Sequence, residues 1–165
     1  MEFFMDIKIG LGFDVHKLVP ERKLFLCGVE IDFPLGLEGH SDADVALHAV
    51  TDAILGAANA GDIGQWFPDT DPQYKGADSK VLLRSVMQSS ELRNFAVGNL
   101  DLVIITQKPK ILPHVPAMRT SLAALLNCDP GCISIKGKTT EGLGFTGRGE
   151  GIAAEAVVLL KKQDA

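Results

Sequence analysis

Cysteine is scarce: the 165 residues contain 3, at positions 27, 128 and 132. That is too few, and too irregular, for a disulfide framework. The Cys128-x-x-x-Cys132 spacing suits half a zinc site, but three reduced thiols at buried or neutral positions is the simpler reading. No run of Lys or Arg occurs and the formal net charge is -5, which argues against nucleic-acid binding, since that affinity rests on basic patches. Long hydrophobic runs are missing too. The apolar stretch Ile152 to Leu160 is interrupted by Glu155 and falls short of the roughly 20 residues that a membrane span needs. The opening Met-Glu-Phe-Phe-Met-Asp carries acids and no long apolar run, so it does not read as a signal peptide. The expectation is a cytoplasmic protein, or one of a plastid-type organelle if a transit peptide was removed. Repeats, low-complexity tracts and linkers are absent, and the length suits a single domain over residues 1–165.

What is present is ordinary globular composition, 46% apolar and 22% charged. A negative chain that handles phosphates must gather its positive charge locally or borrow it from metals. Strands are expected at 6–13, 97–106 and 133–136, with a short hairpin around Gly28 formed by 24–27 and 29–33. Residues 152–161 fit strand or helix by period. Strand is preferred, because Ala154, Ala156, Val158 and Leu160 then share one face. A helix is expected from about Asp42 or Asp44 to Asn59, stopped at Gly61. A second follows the N-cap candidate Asp78, and a third carries Met118, Leu122, Leu125 and Leu126 up to Asn127. Strands mixed with helices give an α/β (α+β two-layer) fold: a four-stranded mixed sheet, helices on one face, and a small N-terminal hairpin. The other face then needs cover, and a further subunit is the natural supplier.

The chemistry centres on residues 40–52, His-Ser-Asp-Ala-Asp-Val-Ala-Leu-His-Ala-Val-Thr-Asp. Asp44, His48 and Asp52 stack on one helical face among apolar neighbours, so they need buried partners. Asp14 and His16 end the first strand and point to one side of the sheet. With His48 they form a two-histidine, one-carboxylate set, common for catalytic zinc with one position left open. Asp52 or Asp42 can then accept an imidazole N–H and fix its tautomer. Gly142-Leu-Gly144-Phe-Thr-Gly147 matches a dinucleotide fingerprint, but no helix, strand and acid follow it. Lys136, Lys138, Thr139, Thr140 and Arg148 around that loop suit phosphate. Glu141 suits a Mg²⁺ bridging phosphate oxygens. The turn Lys108–Leu112 can present backbone groups to a flat base edge.

Gly12-Phe-Asp-Val-His16, His40-Ser-Asp, Asp44-Val-Ala-Leu-His48, Gly61-Asp-Ile-Gly64, Phe67-Pro-Asp-Thr-Asp71, Lys110-Ile-Leu-Pro-His114 and the run Thr139–Gly151 closely resemble the 2-C-methyl-D-erythritol 2,4-cyclodiphosphate synthase family, from about Ile7 to Leu160. The resemblance implies a homotrimer with sheets facing each other and active sites between subunits. It implies conversion of 4-diphosphocytidyl-2-C-methyl-D-erythritol 2-phosphate to the cyclic diphosphate, with release of CMP. Asp14, His16 and His48 would hold Zn²⁺, and Glu141 would hold Mg²⁺ or Mn²⁺ at the substrate diphosphate. His40, Ser41, Phe67 and Asp69, with Asp71 nearby, would line the methylerythritol phosphate pocket. Asp62 and Gly64 would bind ribose. Thr106, Lys110, Ile111 and Leu112 would hold cytosine, and Thr139 and Thr140 phosphate. Phe145 and Arg148 complete the set, Arg148 facing a central cavity that can hold an isoprenoid diphosphate. Leu11 departs from a frequent polar residue, and Gly137-Lys138 from Ala-Thr, so a lysine charge replaces one hydroxyl. Two other readings stand beside this one: a zinc-dependent phosphohydrolase, and a non-catalytic trimer that binds isoprenoid diphosphates.

Overall fold

The computed structural model describes residues 6–163. Met1 to Met5, which carry most of the signal-peptide reading, lie outside the described residues. Strand β1 (Ile7–Val19) alternates: Gly10, Gly12 and Leu18 face inward while Ile7, Ile9, Leu11, Phe13 and Val15 are exposed. That period of two belongs to a strand with one covered face. β1 runs beyond the expected 6–13 because it pairs antiparallel with β7 (Gly151–Lys162) as far as Lys17 opposite Gly151. Asp14 and His16 are therefore inside the ladder, not at its end.

β7 also pairs antiparallel with β5 (Phe95–Ile105), and β5 pairs parallel with β6 (Ile133–Lys138). A two-residue strand, β4 (Gly36–Leu37), joins the free side of β1, giving the order β4-β1-β7-β5-β6. The four long strands are those expected; the fifth is too short to leave a periodic signal. The preference for strand in the last segment holds, since Ala154, Ala156, Val158 and Leu160 are all at 0% exposure. β2 (Leu24–Leu26) and β3 (Val29–Ile31) form the separate hairpin. Its turn residues Cys27 and Gly28 have φ of 55° and 75°, as a tight two-residue hairpin turn requires.

Helix α1 (Val45–Ala57) lies directly on β1, with most of its residues buried. A Cβ on Gly10 would stand 1.8 Å from the Ala53 carbonyl oxygen, and one on Gly12 1.9 Å from that of Ala49. Only glycine permits this approach, and it sets His48 over Asp14 and His16. α1 ends before Gly61, the expected stop. Asn59 takes the left-handed conformation at φ 56, and the N–H groups of Asn59 and Ala60 bond to the carbonyls of Gly56 and Leu55, a Schellman closure. After the one-turn α2 (Ile63–Trp66), α3 (Ser79–Met87) begins at the expected cap Asp78, whose side chain accepts from the Lys80 N–H. α4 (Val115–Leu126) stops at Asn127, left-handed at φ 50, as expected. α5 (Gly144–Gly147) is one turn inside the glycine-rich loop. α3 packs on α1 and α4, and α4 on β6. The opposite sheet face shows the exposed row on β1 together with Val157 of β7, which stands across from Leu11. Among the described residues no helix is long and apolar enough to cross a membrane.

Candidate active site

β1 presents Asp14 and His16, and the first turn of α1 presents His48. Asp14 Oδ2 lies 2.9 Å from His48 Nδ1 and 3.0 Å from His16 Nε2, and those two nitrogens are 3.1 Å apart. Ligand atoms about 2.0 Å from a tetrahedral ion stand roughly 3.3 Å from one another. The three atoms thus converge at nearly the spacing an ion would set. Among the described residues this is the one group of three or more His, Cys, Asp or Glu side chains that can hold a metal ion. His16 Nδ1 donates to the Glu38 carbonyl oxygen at 2.6 Å. A carbonyl only accepts, so Nδ1 carries the proton and Nε2 turns its lone pair to the cluster. His48 Nε2 has Ser79 Oγ at 3.0 Å and Ser41 Oγ at 3.2 Å. Cys27, Cys128 and Cys132 are free thiols outside the cluster.

Burial works against a charged Asp14, but hydrogen bonds and attraction from His16 and His48 outweigh it and hold this carboxyl well below the usual carboxylate range. Burial also works against a charged His16, yet the hydrogen bond and charge of Asp14 raise it above the ordinary histidine value of 6.5. The other acids of the helical stripe are employed elsewhere. Asp44 accepts from Leu47 N–H at the start of α1 and from the hairpin N–H groups of Cys27 (3.0 Å) and Gly28 (2.6 Å), tying the hairpin to the helix. Burial pushes its carboxyl up, and those N–H bonds oppose the rise. Asp52 accepts from Ile63 N–H at 2.7 Å and does not touch an imidazole. Asp42 reaches His48 only through Ser79.

His16 and His48 open into a cavity of about 460 Å³ whose wall includes His40, Ser41, Gly64, Phe67 and Asp69. Asp62 caps α2 by accepting from Gln65 N–H at 2.9 Å. Asp71 caps the turn at Pro72–Tyr74, and its carbonyl oxygen lies 3.3 Å from His40 Nε2. A second cavity, about 780 Å³, gathers Thr106, Lys110, Ile111, Leu112 and Thr139 with Lys108, Lys136 and Lys138. Lys136 pairs with Asp101 at 2.7 Å, which leaves Lys108, Lys110 and Lys138 as the cations along this cavity. Beyond β6, Thr139 donates to Glu141 Oε1 at 3.0 Å, while Thr140 donates to the Leu143 carbonyl and lies 2.9 Å from Thr146 Oγ1. Phe145 is partly exposed on α5, and Arg148 pairs with Glu150 through two hydrogen bonds.

One chain does not bring the two groups together. Asp14 stands across from Ala154, Ala154 from Ile104, and Ile104 from Gly137. Three strand spacings separate the Asp14–His16–His48 group from the end of β6, roughly 14 Å. Both groups lie at the same end of the sheet. Three contributors carried no sequence signal: Ser79 and the Glu38 carbonyl beside the histidines, and Arg22, which donates to the Gly39 and Ser41 carbonyls at 3.0 and 2.8 Å. Their partners lie 17 to 37 residues away, outside any local spacing.

The model of the YgbB family matches residues 7–161. The chain belongs to the YgbB family. A 2-C-methyl-D-erythritol 2,4-cyclodiphosphate synthase of Geobacter sulfurreducens is 59% identical over 157 residues, 95% of this chain and 100% of that protein. The synthase of that name from Shewanella oneidensis is 59% identical over 96% of this chain and 100% of its own length. Among solved structures, the CDP-bound form of a 2C-methyl-D-erythritol-2,4-cyclodiphosphate synthase superposes with a TM-score of 0.84 at 43% identity, covering 93% of this chain and 99% of that one. The CDP complex of Plasmodium falciparum IspF gives 0.84 at 35% identity, covering 98% and 99%. The bifunctional IspDF of Campylobacter jejuni gives 0.92 at 44% identity, covering 97% of this chain but 43% of that longer one. The fold of this YgbB-family chain, with its mixed sheet and α1 laid on β1, is therefore shared with enzymes of this name.

Proposed function

We propose that this YgbB-family chain converts 4-diphosphocytidyl-2-C-methyl-D-erythritol 2-phosphate to 2-C-methyl-D-erythritol 2,4-cyclodiphosphate and releases CMP. The observation that carries the reading is the convergence of Asp14, His16 and His48 at the mouth of a cavity walled by His40, Ser41, Phe67 and Asp69. The full-length likeness to synthases of that name supports it.

In this reaction an oxygen of the substrate's 2-phosphate forms a bond to the β-phosphorus. The bond from that phosphorus to the oxygen bridging the α-phosphate breaks, and CMP leaves with the electron pair. Attack within one flexible molecule needs folding and orientation above all. His40, Ser41, Phe67 and Asp69, with Asp71 behind His40, would hold the methylerythritol phosphate end. Asp62 and Gly64 would hold ribose. Thr106, Lys110, Ile111 and Leu112 would hold cytosine, with Thr139, Thr140 and Lys138 on phosphate oxygens. Zn²⁺ on Asp14, His16 and His48, and Mg²⁺ or Mn²⁺ on Glu141, would supply positive charge that offsets repulsion between the reacting anions and stabilises the leaving phosphate. The reaction needs no protein nucleophile. Cys27 is buried, and that burial pushes its thiol well above the ordinary value.

The separation of the two groups of residues within one chain supports an assembly in which each active site lies between neighbours. The exposed Ile9, Leu11 and Phe13 support a homotrimer closed on its sheet faces. Arg148 would then face a central cavity fit for an isoprenoid diphosphate. Incubation with the diphosphocytidyl substrate and Mg²⁺, followed by phosphorus NMR, tests the reaction. The expected products are CMP and a cyclic diphosphate in equal amounts. An open-chain phosphate product would favour hydrolysis, and binding of isoprenoid diphosphate without turnover would favour a non-catalytic role.

A further inference from the structure

We infer that Asp42, acting through the Ser79 hydroxyl, decides which ring nitrogen of His48 carries its proton, and so leaves Nδ1 free as a ligand. The inference rests on the metal reading of the Asp14–His16–His48 cluster and adds a positioning pair to it.

Ser79 is 1% exposed, the first residue of α3. Its hydroxyl donates to Asp42 Oδ1, and its backbone N–H donates to Asp42 Oδ2 at 3.1 Å. A hydroxyl has one proton; once that is given to a carboxylate, the oxygen can only accept. Ser79 Oγ lies 3.0 Å from His48 Nε2, so the imidazole must donate from Nε2. Its lone pair is then on Nδ1, the atom beside Asp14 Oδ2 and His16 Nε2. Ser41 Oγ, 3.2 Å from the same Nε2, does not choose: it accepts from the Ala43 N–H and keeps a rotatable proton of its own. Asp42 is held in turn by its N–H bond to the Ala77 carbonyl at 3.0 Å and by accepting from Asp44 N–H. Without this relay, Asp14 would draw the proton to Nδ1, the one position where it blocks a metal.

Asp42→Asn should reverse the relay. An Asn amide has one oxygen for two backbone donors, the Ser79 N–H at 3.1 Å and the Asp44 N–H at 3.3 Å; keeping the shorter bond gives up the longer one and turns the NH₂ toward Ser79 Oγ. The Ser79 hydroxyl then donates its hydrogen bond to His48 Nε2, which must be the unprotonated nitrogen, so the ring proton sits on Nδ1. Metal-free protein, at a pH where the ring is neutral, is to be labelled with ¹⁵N-histidine and the His48 nitrogens read by NMR. The expected wild-type signature is a protonated Nε2, with a shift toward protonated Nδ1 in Asp42→Asn and Ser79→Ala. Zinc affinity by chelator competition is expected to fall about 10- to 100-fold in both, and Ser79→Thr, which keeps the hydroxyl, should restore both readouts. A folded Asp42→Asn variant with wild-type nitrogen shifts would overturn the relay, since that readout requires no metal. Unchanged zinc binding in His48→Ala would overturn the metal reading, and is separately visible.

Discussion

In the proposed site, metal and protons compete for the same atoms of Asp14 and His16, and the direction of each shift sets the pH dependence. Asp14 titrates lower in the fold than its ordinary 3.8, so its stabilisation is complete above that value and is lost as pH falls through the lower folded one. His16 titrates above 6.5, so its share is complete below 6.5 and is lost as pH rises through the folded value. The metal-free pair therefore holds the fold best between those two ordinary values. A metal must displace the His16 proton, so zinc affinity is expected to rise about tenfold per pH unit up to the raised His16 value and then level. Chelator competition across this range checks it; a flat profile would contradict the ligand set. Glu141 yields a second prediction. It occupies a left-handed position, φ 56, which is unfavourable for a long side chain, in the turn that leads into α5. Glu141→Gln should keep zinc and the fold yet lower turnover at least about tenfold, because the charge that attracts Mg²⁺ is gone. Raised Mg²⁺ should restore part of the loss and zinc none; unchanged turnover and Mg²⁺ dependence would reduce Glu141 to a loop residue. The convergence of Asp14, His16 and His48 was legible because strand and helix spacing put them on defined faces. Ser79 and the Glu38 carbonyl were not, since only the tertiary fold brings them to the histidines.

The contact between β1 and α1 places His48 over the strand, and two glycines on one helix interface test it in opposite senses. Gly12 cannot accept a side chain without moving the helix, given the 1.9 Å approach to the Ala49 carbonyl oxygen. Gly12→Ala is expected to cost about 3 kcal/mol or more by denaturant unfolding, and to weaken zinc binding as α1 lifts His48 from Asp14. A Cβ on Gly56 would meet nothing nearer than the Leu11 carbonyl oxygen at 4.0 Å. Gly56→Ala should therefore leave zinc binding alone and raise stability by up to about 1 kcal/mol. Equal effects from the two would show that helix propensity, not close approach, governs this interface. At this scale the long elements were legible from period and caps: Asp78 and Asn127 mark the ends they were expected to mark. What escaped was short. β4, α2 and α5 contain 2, 4 and 4 residues, too few for any periodic pattern, and their form is set by the elements they join.

The whole molecule carries the Asp14–His16–His48 group and the Thr139–Glu141 loop at one end of a sheet whose outer face is apolar along β1 and bears Glu155, Asp101 and Lys136 on the strands beyond. That the helices cover only one face was legible from their count; a partner on the other face belongs to the proposed trimer. A trimer closed on Ile9, Leu11 and Phe13 would bring the metal cluster of one protomer toward the Thr139–Glu141 loop of the next. Placing Arg at Leu11, 61% exposed in the single chain, should then yield a folded monomer by sedimentation, with zinc retained and turnover lost. Mixing two dead variants tests the sharing of sites directly. His48→Ala lacks the metal cluster and Glu141→Gln lacks the second metal ligand, so homotrimers of either should be nearly inactive. In mixed trimers, a site is intact where its cluster comes from a Glu141→Gln protomer and its loop from a His48→Ala protomer. Random assembly of equal amounts meets that condition at roughly a quarter of the interfaces. Co-refolding should therefore restore about a quarter of wild-type turnover per site, while mixing the preformed trimers should restore none. A site contained within one chain has no intact copy in any such mixture, so co-refolded protein as inactive as its parents would show that metal cluster and loop serve each other within a single protomer.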